Sequence, residues 1–190
     1  MRVVAPDEFP QLETERLVLR QLEPRDAPAI FAILSDPETM TYMDAPPMAD
    51  VTEAEALVAR NREGFADGNS LQWGLTLRGE NEVVGWCTLF RIHAESRRAE
   101  VGYVLARSHW GRGYNREALT RIVDYGFTDL GLNRIEAELD PRNEASAKAV
   151  RRLGFTDEGL LRERWIVSGK VSDSLIVGLL RSEWDARGSS

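Results

Sequence analysis

The sequence is short of the residues that staple or ligate. Its one cysteine, Cys87, excludes an internal disulfide and any zinc cage built from thiolates. Cys87 lies within the apolar stretch Val83 to Phe90, so its thiol is expected to be a buried packing group. A catalytic thiol would need a nearby histidine. The chain has two, His93 and His109; neither stands in a motif, and both are expected to be ordinary surface residues. No metal site is expected. No apolar run reaches the roughly 18 residues of a membrane span. Met1 to Gln11 carries Asp7, Glu8 and two prolines without an apolar centre, which does not suit a secretory signal. A cytoplasmic protein is the expectation, since one cysteine fits a reducing compartment. Excess positive charge is also missing: the net charge is −7. An acidic chain is a poor general binder of nucleic acid, so neither nucleic acid nor membrane is an expected partner. The acidic surface serves solubility, and could also attract a cationic amine.

With 190 residues, 43% hydrophobic and 29% charged, the chain suits one globular domain. Residues 1–12 read as an arm, 13–182 as the domain and 183–190 as a flexible tail. The alternation from Leu17 to Leu22 predicts a first strand. Pro24 opens a helix with Asp26 in its first turn and Ala29, Ile30, Ile33 and Leu34 on its apolar face. Thr52 with Glu55 reads as a capping box opening a second helix to about Phe65. Strands follow at Leu71–Leu77, Val83–Ile92 and Glu100–Leu105. A third helix carries Ala118, Leu119, Ile122, Val123, Gly126, Phe127 and Leu130 on one face. Arg134–Leu139 reads as a strand. Asn143 to Leu153 reads as a helix stopped by Gly154. Ser168-Gly169 divides two last strands, roughly Thr156–Val167 and Val171–Leu180. This order implies a mixed α/β sheet with helices packed on it.

The chemistry is concentrated between the Glu100–Leu105 strand and the third helix, in Trp110-Gly111-Arg112-Gly113-Tyr114-Asn115. Two close glycines let backbone approach a bulky anion, and the first turn of a helix offers unpaired N–H groups and a partial positive charge. Together they can cradle a pyrophosphate, with Arg112 and Arg116 as added cations. A tight turn without a ligand would carry the same spacing. The third glycine of a dinucleotide fingerprint and the lysine of a phosphate loop are both absent.

Here the chain resembles the GNAT superfamily of N-acetyltransferases, whose signature Gln/Arg-x-x-Gly-x-Gly/Ala falls on Trp110, Gly113 and Asn115. It is most similar to the ribosomal-protein N-acetyltransferase branch. The stretches that carry this likeness are Thr14-Glu15-Arg16-Leu17-Val18-Leu19-Arg20, Glu100-Val101-Gly102-Tyr103, Trp110 to Tyr114, Asn143-Glu144-Ala145-Ser146 and Leu153-Gly154-Phe155, in that order. The resemblance implies a single-domain α/β (α+β) fold. Its mixed, mostly antiparallel seven-stranded sheet would splay at the fourth and fifth strands, flanked by about four helices. It implies acetyl-CoA as cosubstrate, with Val104, Leu105 and Ala106 against the pantetheine arm and Gly111, Arg112, Gly113, Tyr114, Asn115 and Arg116 at the pyrophosphate. It also places Asn143 on the pantetheine and Lys148 near a phosphate. Asn143 is equally a helix cap, and Lys148 a solvated helix charge.

Two positions depart from that pattern. Asn115 stands where glycine or alanine is usual, and its side chain could crowd the phosphates. Val150 stands where many members place a tyrosine acid. The branch can use a serine one turn after the asparagine instead, which implicates Ser146; its other reading is a polar residue near a helix start. Glu100 is the candidate base, acting through water, or else an exposed strand-end carboxylate. The acceptor is expected to be a peptide or protein α-amine, with a ribosomal protein as the family-based instance. A small amine is the alternative, and a non-catalytic coenzyme A-binding module a third reading. A homodimer through the last strands is left open.

Overall fold

The computed structural model describes residues 6 and 8–188; of the expected arm, residues 1–5 and 7, and of the expected tail, 189 and 190, lie outside them. Among the described residues one sheet of eight strands runs β1-β2-β3-β4-β5-β6-β8-β7. The strands are β1 (Leu12–Glu13), β2 (Leu17–Gln21), β3 (Leu71–Leu77), β4 (Val83–His93), β5 (Arg98–Leu105), β6 (Arg134–Leu139), β7 (Thr156–Val167) and β8 (Lys170–Leu180). Helices α1 (Ala27–Leu34), α2 (Val51–Ala66), α3 (Tyr114–Thr128), α4 (Glu144–Leu153) and α5 (Arg181–Gly188) flank it. None of these helices is long and apolar enough to cross a membrane.

Side-chain alternation along the strands divides the core. Leu19, Trp73, Leu89, Ala99, Val101 and Leu105 pack beneath α3 and α4 with Leu119, Ile122, Phe127 and Val150. Leu22, Val83, Trp86 and Val104 pack with Ile30, Ile33 and Val58 of α1 and α2. Cys87 is fully buried in the first group, and burial pushes its thiol up, as suits a packing residue.

Every strand pair is antiparallel except β5–β6. Their parallel register covers Arg98↔Arg134, Ala99↔Ile135 and Glu100↔Glu136, and stops there. Beyond it β5 stays on β4 as far as Leu105, and β6 stays on β8 as far as Leu139. Each strand therefore keeps its outer partner while the inner edges part. That wedge is the splay expected between the fourth and fifth strands, here β5 and β6.

Three details differ from the sequence reading. The eighth strand is the two-residue β1, held by buried Leu12 and pairing with β2. The box opening α2 is Asp50 with Glu53, not Thr52 with Glu55. Asp50 Oδ1 accepts from Thr52 N at 2.8 Å, and Glu53 Oε1 accepts from Asp50 N at 3.3 Å and from Ala49 N at 2.9 Å. Aspartate is the stronger cap, which favours this register. Residues 183–188, read as part of a flexible tail, lie in α5. Glu183 Oε2 accepts from Leu180 N at 2.8 Å, and Trp184 sits against Phe127 with ring centres 6.2 Å apart. This anchoring depends on α3, far away in sequence.

Arg20 and Asp26 pin the entry to α1. Two bonds of 2.7 and 2.8 Å join them, and Asp26 Oδ2 also accepts from Glu23 N at 2.7 Å. Burial alone would raise the Asp26 carboxyl, but these hydrogen bonds outweigh it and hold it below the ordinary value. The folded-state value is the lower one, so the pair stabilises the fold above the unfolded value and its contribution fades as pH falls through the folded value. Asp26→Ala leaves Arg20 with only the Gln21 and Asn81 carbonyls and should lower stability by about 3 kcal/mol in urea melts. Asp26→Asn should flatten the loss of wild-type stability below about pH 4. An unchanged acid limb in that variant would refute the assignment.

Candidate active site

The loop after β5 makes a short 3₁₀ turn at Arg107–His109 and then passes two left-handed glycines, Gly111 (φ 73°) and Gly113 (φ 83°). Such angles disfavour any residue with a Cβ. Gly113 is the N-cap of α3, and no side chain caps that end. The first intrahelical bond runs from Glu117 N to Gly113 O, 3.1 Å. The N–H groups of Tyr114, Asn115 and Arg116 therefore lack helical partners. They stand at the positive end of α3, at the top of the wedge. The half-buried Asn115 has its Oδ1 buried without a protein partner among the described residues.

Trp110 ties this loop to β5, since its Nε1 donates to Leu105 O at 2.7 Å while the ring stays 46% exposed. The three β5 residues expected at the pantetheine are not equivalent. Ala106 N donates to Val84 O at 2.8 Å, so Ala106 is turned toward β4. By strand alternation Val104 turns the same way, while Leu105, Tyr103 and Val101 present their peptide groups to the wedge. A ligand adding to the open edge would meet those three rather than Val104 or Ala106.

The start of α4 closes the other side. Asn143 Oδ1 accepts from Ser146 N at 3.0 Å, so it is the cap the sequence allowed; Gly154 (φ 102°) ends the helix. Ser146 Oγ is hydrogen-bonded to the Tyr103 hydroxyl, which joins α4 to β5 across the mouth. Burial pushes the Tyr103 phenol up to about 12, against the opposing effect of that hydrogen bond. The phenol thus stays protonated, and either hydroxyl of the pair can donate. Lys148 stands outside this group, paired in solvent with Glu144 at 3.0 Å.

Carboxylates line the foot of the wedge. Glu100 is held by Arg91 Nη1 at 3.0 and 2.9 Å. Glu136 pairs with Arg98 and Arg134 at 3.3 and 2.7 Å. Glu138 accepts from Trp165 Nε1 at 2.8 Å and Arg164 Nε at 3.3 Å. Burial would raise the Glu138 carboxyl, but bonds from Ser174, Trp165 and Arg164 bring it below the ordinary value. All three are thus paired carboxylates. His93 Nδ1 accepts from Ser96 N in the exposed β4–β5 turn, and His109 Nδ1 bonds Ser108 Oγ.

The structure thus brings together the 111–116 loop, the β5 edge, Asn143 and Ser146. The sequence reading gave Tyr103 no role, although its stretch was singled out. Its partner is 43 residues away, and no spacing rule connects them.

Residues 16–156 match a family described as acetyltransferase (GNAT) domain. An uncharacterized N-acetyltransferase, p20, of Bacillus licheniformis is 39% identical over 91% of this chain and 97% of its own length. The [ribosomal protein uS5]-alanine N-acetyltransferase of Escherichia coli (strain K12) is 26% identical over 92% of each chain. A crystal structure of spermidine N-acetyltransferase from Vibrio cholerae in complex with CoA and spermine superposes with a TM-score of 0.79 at 27% identity, covering 88% of this chain and 97% of that one.

Proposed function

Because this chain belongs to the GNAT acetyltransferase family, we propose that its acetyl acceptor is the α-amine of a peptide or protein. The chain is an acetyl-CoA-dependent N-acetyltransferase. The observation that carries the α-amine reading is that the carboxylates at the wedge are already paired with arginines. Such carboxylates are weak bases. At pH 7 an α-amine, with a pKa of about 7.7–8.0, loses its proton for roughly 1 kcal/mol, whereas a lysine amine near 10.4 needs about 4.6 kcal/mol. A site without a strong base therefore suits the α-amine. A ribosomal protein N-terminus is the instance suggested by the uS5-alanine enzyme.

In the proposed reaction the diphosphate of acetyl-CoA rests on the amides of Gly113 to Arg116, and the pantetheine runs along the open edge of β5. Asn143 would offer it the amide nitrogen that the helix cap leaves unused. Glu100 accepts the amine's proton through water. The neutral nitrogen attacks the thioester carbonyl, whose oxygen is polarised by a β5 N–H. The C–N bond forms and the C–S bond breaks; Ser146, held by Tyr103, gives its proton to the departing thiolate and regains one, through water, as the amide nitrogen sheds its second proton.

Thiol release and mass detection over free-N-terminal peptides, N-blocked lysine peptides and small amines test this reading. With a free-N-terminal peptide, kcat/KM should rise with pH and level near 8, the acceptor's own value. Turnover confined to free small amines would remove the peptide reading. A small cationic amine is the second reading, favoured by the clustered Glu100, Glu136 and Glu138 and by the spermidine enzyme's fold.

A further inference from the structure

The stretch Thr14 to Arg20 has no part in the chemistry above, yet it reaches the phosphate loop. Arg16 Nη1 donates to Arg112 O at 2.9 Å, and Arg16 Nε meets Glu117 Oε2 at 2.7 Å. The Arg16 backbone N–H and Thr14 Oγ1 both donate to Glu117 Oε1, at 2.7 and 2.5 Å. The guanidinium also lies 4.7 Å from the Tyr114 ring centre. A Cβ on Gly113 would come within 3.4 Å of Arg16 Nη2. One side chain thus touches both sides of the loop-to-helix junction.

The bond to Arg112 O bears on which way the loop faces. In a trans peptide the C=O and the following N–H point in opposite directions. Holding the Arg112 carbonyl toward Arg16 therefore aims the Gly113 N–H away from it. Arg16 precedes β2, and β2 and β6 lie on opposite sides of β5 in the sheet. The wedge between β5 and β6 lies on the far side of β5 from β2. Left-handed glycines stand on both sides of Arg112, so this peptide has few steric restraints of its own. Turned over, it would present a carbonyl oxygen to an anion. Glu117 adds a second hazard, a carboxylate in the first turn of the helix meant to hold an anion, and Arg16 neutralises it.

We propose that Arg16 is a positioning residue for acetyl-CoA: it locks the Arg112–Gly113 peptide with its N–H toward the diphosphate and offsets the charge of Glu117. This rests on the reading of the loop as a diphosphate cradle. The test compares kcat/KM for acetyl-CoA with kcat/KM for S-acetylpantetheine, a donor without the diphosphate. In the wild type the ratio should be well above one; a ratio near one would overturn the cradle itself. In Arg16→Met, with thermal melts confirming the fold, the ratio should fall at least tenfold. Arg16→Lys should also lower it, at least threefold, since one ammonium cannot reproduce the fork that meets Glu117 and Arg112 O together. Glu117→Gln keeps the Arg112 contact and removes the opposing charge, so it should not lower the ratio. A wild-type ratio in folded Arg16→Met would overturn the proposal, as would one in Arg16→Lys should the methionine variant not fold. So would a Glu117→Gln loss equal to that of Arg16→Met, which would make the ion pair rather than the peptide the cause.

Discussion

Gly113→Val is expected to weaken acetyl-CoA binding by at least a hundredfold in isothermal titration. At φ 83° a β-branched residue is strained. A non-glycine residue held in the left-handed region costs about 1–3 kcal/mol. The chain can escape the strain only by rotating the residue, and that rotation moves the N–H groups that open α3. Losing one hydrogen bond to a charged group forfeits about 1.5–3 kcal/mol more. A hundredfold in affinity is about 2.7 kcal/mol, which the loss of two such bonds, about 3–6 kcal/mol, supplies. Gly111→Ala provides the comparison. It shares the left-handed angle, but a Cβ there meets nothing within 4 Å; its loss should be smaller. Unchanged binding by Gly113→Val would mean that the diphosphate rests somewhere else.

Ser146→Ala should lower kcat by about 10- to 100-fold, the usual worth of a positioned acid, with the KM for acetyl-CoA altered far less. The substitution spares the helix cap, because Asn143 bonds the backbone N–H of Ser146 and not its hydroxyl. Tyr103→Phe should lower kcat by a smaller factor. The raised phenol keeps its proton; when that proton is given to Ser146 Oγ, the serine proton is free to point at the sulfur. If the tyrosine acts through the serine, the double variant should be no slower than Ser146→Ala alone. Losses that multiply would make the two groups independent. A wild-type rate for Ser146→Ala would leave Ser146 as a structural residue at the start of α4.

Much of the architecture was legible where local chemistry sets it. Asn143 and Gly154 bound α4 because one supplies a cap and the other a left-handed stop. The alternation of Arg134 to Leu139 marks β6, and Ser168-Gly169 marks the last turn. The glycine bend before α3 was visible for the same reason: two glycines before an apolar helix face need no distant partner to be read. Capping boxes two residues apart at Asp50 and Thr52 were harder, since both satisfy the same pattern and only the relative strength of the cap separates them.

The sequence by itself determined the family, the order of the main elements and the glycine bend that opens α3, because these rest on interactions within a few residues. Only the tertiary structure decided where β5 leaves β6, which β5 residues face the wedge, that Glu100 is held by Arg91, that Tyr103 meets Ser146 and that Arg16 meets the loop before α3. Each of these depends on which distant groups the packed sheet brings within hydrogen-bond reach. Arg16 and Glu117 are 101 residues apart in the chain and 2.7 Å apart in the fold.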